Sequence, residues 1–191
     1  MADYKFFQSS ISEHIKVVSD LPVDKIQQFA NDIFKTIDRG GKIIFFGNGG
    51  SATQAAHWAE EFVNRFVKKR KPLPAIALGT NFANITGIAN DFGFEKVFAR
   101  EIESLAEKKD LAVGISTSGE SQNVIKALEL AKKKRIKTWI LTGNTNNKAK
   151  KIADKSLSIT SDKTARIQEL HTLVIHIVLE LIDEKYASDK T

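Results

Sequence analysis

The sequence predicts an α/β fold in which a five-stranded parallel sheet is covered by helices on both faces. Two observations lead to this prediction. Five short apolar runs recur along the chain, and the first four are almost uninterrupted, as expected of parallel strands that are buried on both sides. Segments with helical periodicity alternate with these runs, which is the pattern of right-handed crossover units around a parallel sheet.

The elements follow in order from the same patterns. The predicted strands are residues 42–47, 74–79, 111–117, 137–143 and 155–160. The predicted helices of the core are residues 51–70, 94–107, 121–134 and 164–185. We divide the single domain into an N-terminal helical arm, residues 1–40, and a core, residues 41–191.

The arm is predicted to contain two helices, at about 3–19 and 23–38, which are separated by Pro22. Asp20 and Asp24 are candidate caps for the second helix, because a short acidic side chain can accept a hydrogen bond from the first turn. Two placements remain open for the arm. It packs against a partner subunit, or it covers the sheet of its own chain.

Composition limits the classes of function. The chain has 191 residues, of which 42% are hydrophobic and 27% charged, which is the balance of one globular domain. It contains no cysteine, so a bound metal must use His, carboxylate, amide or water ligands. The start of the chain lacks the pattern of a secretory signal, and its most apolar segment is too short to span a bilayer. We therefore expect a cytoplasmic protein with no membrane partner.

The formal net charge of +6 includes two basic clusters, Lys68-Lys69-Arg70-Lys71 and Lys132-Lys133-Lys134-Arg135. Such clusters can attract nucleic acid or an anionic metabolite. They are also typical of the solvated C-terminal ends of amphipathic helices. No aromatic residues lie among these lysines to stack on bases, so we favour solvated helix ends and expect no nucleic-acid partner.

A glycine-rich turn, GNGGSA, follows the first predicted strand. Gly47, Gly49 and Ala52 have the spacing of a relaxed dinucleotide fingerprint. The second strand, however, ends without the acid that would hold a ribose hydroxyl, and no Gly-Lys-Ser/Thr sequence follows the turn. The turn therefore indicates a close approach of some ligand to the backbone, with Ser51 near a helix N-terminus, and not a nucleotide site.

A second polar loop, STSGES, follows the third predicted strand and precedes a helix. An ordinary N-cap needs one serine, whereas this loop supplies four hydroxyls. Together with the free N–H groups of the helix, these hydroxyls predict a phosphate site. The hydroxyl-bearing residues are Ser116, Thr117, Ser118 and Ser121.

Two helices carry residues suited to proton transfer. His57 and Glu61 are four positions apart, on one face of the helix that follows the glycine turn, where they form a surface pair, a metal site or an acid–base pair. The last helix is apolar around most of its circumference, yet it contains Gln168, His171 and His176. A buried Gln and His are costly to leave without hydrogen bonds, and this favours a functional role for Gln168 and His176.

Taken in order, GNGGS…HxxxE, NDFGF, STSGxS and RIQExH…H resemble the phosphoheptose isomerases of the sugar-isomerase (SIS) superfamily, over almost the whole chain. The resemblance implies a flavodoxin-like three-layer sandwich that forms homotetramers with active sites shared between subunits. It implies a sugar-phosphate substrate, with interconversion of sedoheptulose 7-phosphate and the aldoheptose 7-phosphate used for heptose in lipopolysaccharide or capsule.

The resemblance also implies roles for particular residues. The implied substrate-binding residues are Asn48, Gly49, Gly50, Ser51, His57, Glu61, Arg65, Asn90, Asp91, Ser116, Thr117, Ser118, Ser121 and Gln168. The implied ligands of one zinc ion per subunit are His57, Glu61, Gln168 and His176. Ala165 stands where some members have Asp, so a role of that Asp does not transfer to this chain.

Ketose–aldose isomerisation removes a proton from C1 and returns one at C2 through a cis-enediol, which requires a base and an acid. We hypothesise that Glu61 is the base and His176 the acid, with His176 or His57 also assisting ring opening. Two other classes of function are open to this fold: a non-catalytic relative that binds the bacterial replication initiator, and a sugar-phosphate sensor. Neither needs an acid–base pair, so the presence of Glu61 and His176 favours the enzyme.

Overall fold

The computed structural model describes residues 3–143 and 146–187, and shows a three-layer α/β sandwich. Its helices are α1 (Tyr4–Ser19), α2 (Val23–Asp38), α3 (Gly50–Val63), α4 (Phe82–Phe92), α5 (Val97–Leu105), α6 (Gln122–Lys133), α7 (Lys148–Ile152) and α8 (Thr164–Tyr186), with a 3₁₀ turn at Phe94–Lys96. Its strands are β1 (Ile43–Gly47), β2 (Ala75–Ala77), β3 (Leu111–Ser116), β4 (Lys137–Thr142) and β5 (Lys155–Ser158). The outer limits of the predicted domain, residues 1 and 191, lie outside the described residues.

The five strands form one parallel sheet in the order β2-β1-β3-β4-β5. This is the flavodoxin-like order, so the predicted fold class is confirmed. The chain moves outward in one direction from β1 to β2 and in the other from β3 to β5. Between β1 and β3 the connections therefore diverge, and in such sheets ligands bind beyond the carboxyl ends of the strands at this point.

Alternate residues of each strand feed two separate cores because successive side chains point to opposite faces of a sheet. Ile43 and Phe45 of β1 pack in the core formed with α2, α3 and α8. Ile44 and Phe46 pack in the core formed with α5 and α6. The helices α3 and α6, which follow the two strands at the divergence point, consequently lie on opposite faces of the sheet.

The arm divides into two different helices. In α2, Phe29 and Ile33 are fully buried against the sheet of the same chain. In α1 only Val17 is buried, and several large apolar side chains remain exposed. These are Tyr4, Phe6, Phe7, Ile11 and Ile15. The α2 helix therefore covers the sheet of its own chain, which is the second of the two predicted placements. The α1 helix leaves one apolar side uncovered in the single chain.

The predicted caps of α2 are wrong. Pro22 occupies the N-cap position and provides no side-chain hydrogen bond, while Asp24 lies inside the first turn. Asp20 instead ends α1, where its backbone N–H donates to the carbonyls of Val17 and Val18. The helix begins directly after Pro22, whose carbonyl accepts from the N–H groups of Lys25 and Ile26 at 2.9 and 3.1 Å, so neither aspartate stands at the N-cap position.

The predicted end of one helix is also wrong, and two helices of the structure lie outside the predicted elements. The helix predicted for 51–70 ends at Val63, so the basic cluster after it is not a helix end. Within that cluster Arg70 is buried, contrary to the solvated face predicted for it. The helices α4 and α7 were not predicted at all. None of the helices within residues 3–143 and 146–187 is long and apolar enough to cross a membrane.

Candidate active site

The glycine turn and the serine loop meet at the divergence point of the sheet. Gly47 at the end of β1 pairs with Ile115 near the end of β3. The two following loops are joined by Asn48 and Asn123, whose side-chain amides donate to each other's oxygens at 2.8 Å in both directions. Gly49 has φ +55°, a left-handed conformation that favours glycine. The turn between β1 and α3 is therefore the place where we expect the backbone to approach a ligand closely.

A cavity of about 220 Å³ lies between these loops. Its lining residues are Asn48, Ser51, Ile115, Ser116, Thr117, Ser118, Ser121, Thr164 and Gln168. The structure therefore brings together all four hydroxyl residues of the serine loop with two residues of the glycine turn and Gln168 of α8. Thr164 was missed by the sequence analysis, although a hydroxyl at the first residue of a helix is a recognisable signal.

Ser121 occupies the N-cap position of α6 but makes no capping hydrogen bond with its side chain. Its Oγ lies instead 3.2 Å from Oγ of Ser116, which also accepts a hydrogen bond from the N–H of Gly119. The first N–H groups of a helix lack partners within the helix and carry partial positive charge. In the first turn the N–H of Val124 donates to Oδ1 of Asn123 at 2.9 Å, but the Ser121 side chain caps none of the N–H groups. The loop therefore presents hydroxyls beside a helix terminus without a serine cap, an arrangement suited to an anion.

The α3 and α8 helices extend from this cavity side by side. Gln54 of α3 donates its side-chain amide to the carbonyl of Gln168, at 2.8 Å, and to Oγ1 of Thr172, at 2.7 Å. The side chain of Gln168 lies against Gly50, so closely that a Cβ there would be 2.6 Å from Nε2 of Gln168. Gly50 is thus required for the position of Gln168 in the cavity wall.

Further along the same two helices, His57, Glu61 and His176 lie next to one another. Nε2 of His57 is 3.1 Å from Oε1 of Glu61, and the rings of His57 and His176 are 5.6 Å apart between centroids. Phe66, from the segment after α3, stacks on His176 at 5.1 Å. The His57 side chain is 46% exposed and that of Glu61 16%, so this group is open to solvent on the His57 side. Phe66 was missed by the sequence analysis.

Two histidines of α8 have lowered pKa values for related reasons. Burial lowers the pKa of His176, and the nearby His57 lowers it further, against the opposing effect of Glu61 and Glu180. Burial lowers the pKa of His171 to about 4, because its only compensation is a contact from Nε2 to the carbonyl of Thr142 at 3.2 Å. The lowered pKa favours the neutral form of His176, and an imidazole in this form can both accept and donate a proton.

Three of the implied substrate residues neither line the serine cavity nor belong to the group of His57, Glu61 and His176. Arg65 follows the end of α3 and is exposed, so it is not on the helix that carries Glu61. Asn90 and Asp91 are exposed near the end of α4, where the Asn90 amide donates to Asp91 at 2.8 Å. Their roles in binding remain predictions.

The imidazoles of His57 and His176 and the carboxylate of Glu61 are usual zinc ligands. The fourth implied ligand, Gln168, has its side chain against Gly50 at the cavity end of the two helices. One observation also fits zinc: Nε2 of His176 is buried and has no hydrogen-bond partner among the described residues. Within residues 3–143 and 146–187, however, no three His, Asp or Glu side chains are gathered closely enough to form a metal site by themselves.

The sheet order and the uncapped helix beside a hydroxyl-lined cavity define a flavodoxin-like protein with an anion-binding site at its divergence point. The model of the SIS domain family matches residues 6–143. A probable phosphoheptose isomerase of Thermoplasma acidophilum is 45% identical over 92% of this chain and 97% of its own length. A phosphoheptose isomerase of Thermodesulfovibrio yellowstonii is 46% identical, over 85% and 81% respectively.

A solved structure points to the same family. The phosphoheptose isomerase of Neisseria gonorrhoeae superimposes with a TM-score of 0.88, at 34% identity, covering 94% of this chain and 98% of that one. This chain belongs to the phosphoheptose isomerase family of SIS-domain proteins.

Proposed function

We infer that this protein is an aldose–ketose isomerase that converts D-sedoheptulose 7-phosphate to D-glycero-D-manno-heptose 7-phosphate. One observation supports this function above the others. A hydroxyl-lined cavity lies at one end of α3 and α8, beside the start of α6, and Glu61 lies close to His57 and His176 further along the same two helices. A phosphosugar has the same two parts, a charged end and a reactive carbonyl end. The relatives reported above, which are named as phosphoheptose isomerases, support the same substrate.

The phosphate group is held at the N-terminus of α6. The hydroxyls of Ser116, Thr117, Ser118 and Ser121 donate to its oxygens, and the uncapped N–H groups of the helix add to the positive potential. The close pair of Ser116 and Ser121 provides two hydroxyls 3.2 Å apart, so they can donate to neighbouring oxygens of one phosphate.

The carbonyl end of the substrate extends along α3 and α8 towards Glu61 and His176. Glu61 removes the proton from C1 to give the cis-enediol, and it is oriented by the contact of its Oε1 with Nε2 of His57. His176, in its neutral form, donates an N–H proton to the carbonyl oxygen on C2 as the cis-enediol forms, and it takes up the hydroxyl proton on C1 as the aldehyde forms. The protonated Glu61 returns its proton to C2. Phe66 covers one face of the His176 ring and limits its exposure to water.

We further propose that His57, Glu61, Gln168 and His176 hold one zinc ion per subunit. The unpartnered Nε2 of His176 and the neutral state of its imidazole favour this assignment, since a metal binds imidazole in the unprotonated form. Zinc, when bound, would polarise the oxygens of the substrate. Equilibrium dialysis followed by metal analysis is expected to show one zinc per chain, and a His176→Ala variant is expected to lose it.

A homotetramer with shared active sites accounts for two features of the single chain. The apolar side of α1 is uncovered, and the His57 side of the proton-transfer group is open to solvent. A neighbouring subunit would cover both surfaces. We propose a cytoplasmic enzyme that supplies heptose for a surface polysaccharide, either lipopolysaccharide or capsule.

The function is tested by incubating the protein with sedoheptulose 7-phosphate, with zinc supplied, in D₂O and following the mixture by NMR. An aldoheptose 7-phosphate with deuterium at C2 is expected, because the proton passes through an exchangeable group. A correctly folded protein that forms no aldose would contradict the proposal. The relatives reported above lend no support to the alternative, a non-catalytic protein that binds the replication initiator.

A further inference from the structure

The segment between α3 and β2 is fixed by a buried ion pair. Nε of Arg70 donates to Oδ1 of Asp183 at 2.7 Å, and both side chains are almost completely buried, at 0% and 1% exposure. Oδ2 of Asp183 also accepts from the backbone N–H groups of Val67 and Lys68, at 2.5 and 2.7 Å. One carboxylate on α8 thereby holds three donors from the segment that follows α3.

The remaining donors of Arg70 bind the end of α3. Nη2 donates to the carbonyl of Glu61 at 2.7 Å, and Nη1 donates to the carbonyl of Phe62 at 2.8 Å. The last carbonyls of a helix have no partner within the helix, and Arg70 satisfies that of Glu61. The carbonyl of Phe62 accepts from Arg70 and also from the N–H of Leu73, at 3.0 Å. The end of α3 that carries Glu61 is thus connected through Arg70 to Asp183 of α8.

The same segment places an aromatic ring on the other proton-transfer residue. Phe66 directly precedes Val67, whose N–H is held by Asp183, and its ring stacks on His176 with an angle of 29° between the planes. Asp183 lies seven positions after His176 on α8, about two helical turns away. A single buried contact therefore controls both the position of the Glu61 backbone and the ring that covers His176.

We propose that Arg70 and Asp183 are positioning residues, which fix Glu61 and His176 relative to each other through the end of α3 and through Phe66. This proposal deepens the proposed function and rests on it. Neither residue touches the substrate. Misplacement of a reacting group by about 1 Å costs up to about 10²-fold in rate, so a contact of this kind affects turnover more than substrate binding.

The primary test compares two variants with a matched control. Asp183→Asn is nearly isosteric, but its amide can satisfy either the two backbone N–H groups or Arg70, and not both. Arg70→Lys keeps the charge and loses the planar set of donors that reaches both carbonyls. The control, Asp32→Asn, disturbs a comparably buried carboxylate that binds Lys137 and Trp139 away from the site.

The expected result is a fall in kcat of about 10- to 100-fold for Asp183→Asn and Arg70→Lys, with KM within about twofold, since the phosphate cavity is untouched. Asp32→Asn is expected to lower the melting temperature and keep kcat. If Asp183→Asn and Asp32→Asn reduce kcat equally at equal loss of stability, the ion pair is only structural and the proposal is overturned.

A second measurement, the NMR spectrum of His176, does not depend on enzymatic activity. In chelator-treated protein at constant pH, the imidazole signals of His176 in a ¹H–¹³C NMR spectrum report the ring current of Phe66. Phe66→Leu and Asp183→Asn are both expected to move these signals in the same direction, whereas Asp32→Asn leaves them in place. An inactive wild-type protein would overturn the proposed function alone. A His176 signal that moves in Phe66→Leu but not in Asp183→Asn would overturn the positioning role.

Discussion

Replacing Gly50 with Ala is expected to lower activity without lowering stability. Gly50 is the first residue of α3 and does not have a left-handed backbone conformation, so alanine is compatible with the helix there. A Cβ at this position would lie 2.6 Å from Nε2 and 3.2 Å from Cδ of Gln168, whereas ordinary contacts begin at 3.4 Å. The Gln168 side chain must therefore move by about 1 Å, away from its place in the cavity wall.

The size of the effect follows from these distances. A displacement of about 1 Å in a substrate-positioning group is expected to reduce kcat/KM by up to about 10²-fold, equivalent to about 2.7 kcal/mol of transition-state stabilisation. The gain in helix propensity from glycine to alanine is at most about 1 kcal/mol and smaller in the first turn, so the melting temperature should stay level or rise slightly.

Gly87 provides the matched control for Gly50. It lies inside α4, and a Cβ added there would meet no heavy atom within 4 Å. Gly87→Ala is expected to stabilise the protein by up to about 1 kcal/mol and to leave kcat/KM unchanged. Steady-state kinetics and thermal unfolding of both variants distinguish the effects. Wild-type kcat/KM in Gly50→Ala would refute the assignment of Gln168 to the substrate site.

Three further predictions concern the proton-transfer groups, the phosphate cavity and the buried histidine. Glu61→Gln keeps a hydrogen-bond partner for His57, so unfolding in urea should change little, while kcat is expected to fall by about 10²- to 10⁴-fold. The control is the exposed neighbour Glu60, because Glu60→Gln should keep kcat. Ser121→Ala removes one hydrogen bond to a charged phosphate, which is worth about 1.5–3 kcal/mol, so KM should rise at least tenfold at similar kcat. An unchanged KM would contradict the phosphate site. Because the pKa of His171 is lowered to about 4, the folded state disfavours its protonation. Its contribution to the free energy of unfolding is complete above the unfolded pKa of about 6.5 and is lost as the pH falls from there to about 4, by up to about 3 kcal/mol. Urea unfolding between pH 7 and 4 should show this loss, and His171→Phe should lack it.

The strands could be predicted from the sequence because their physical signal is local. A run such as Ile43–Gly47, in which every residue is buried, needs a chain that is apolar at both odd and even positions. The serine cavity could be predicted for a similar reason. The carboxyl ends of β1 and β3 must meet at the divergence point, so the loops that follow them are neighbours whatever their detailed conformation.

The features that the sequence analysis missed depend on distant contacts or weak propensities. The end of α3 is fixed by Arg70, whose ionic partner is 113 positions away, so no local pattern indicates it. The α4 helix, in contrast, has no buried residue and contains Thr86, Gly87 and two asparagines, which are poor helix formers. Its start is stabilised by the side chain of Asn81, which accepts hydrogen bonds from two backbone N–H groups.

The placement of α3 and α6 on opposite faces of the sheet separates two tasks that most small-molecule sites combine. Most of the hydroxyls of the cavity come from the segment between β3 and α6, whereas α3 and α8 provide the ionisable side chains together with Ser51, Thr164 and Gln168 of the cavity wall. Substitutions in the segment between β3 and α6 are therefore expected to change affinity first, and substitutions at His57, Glu61 or His176 to change the chemistry first. A chain built in this way can exchange one reaction for another on the same phosphorylated carbohydrates, because its anchoring half does not need to change.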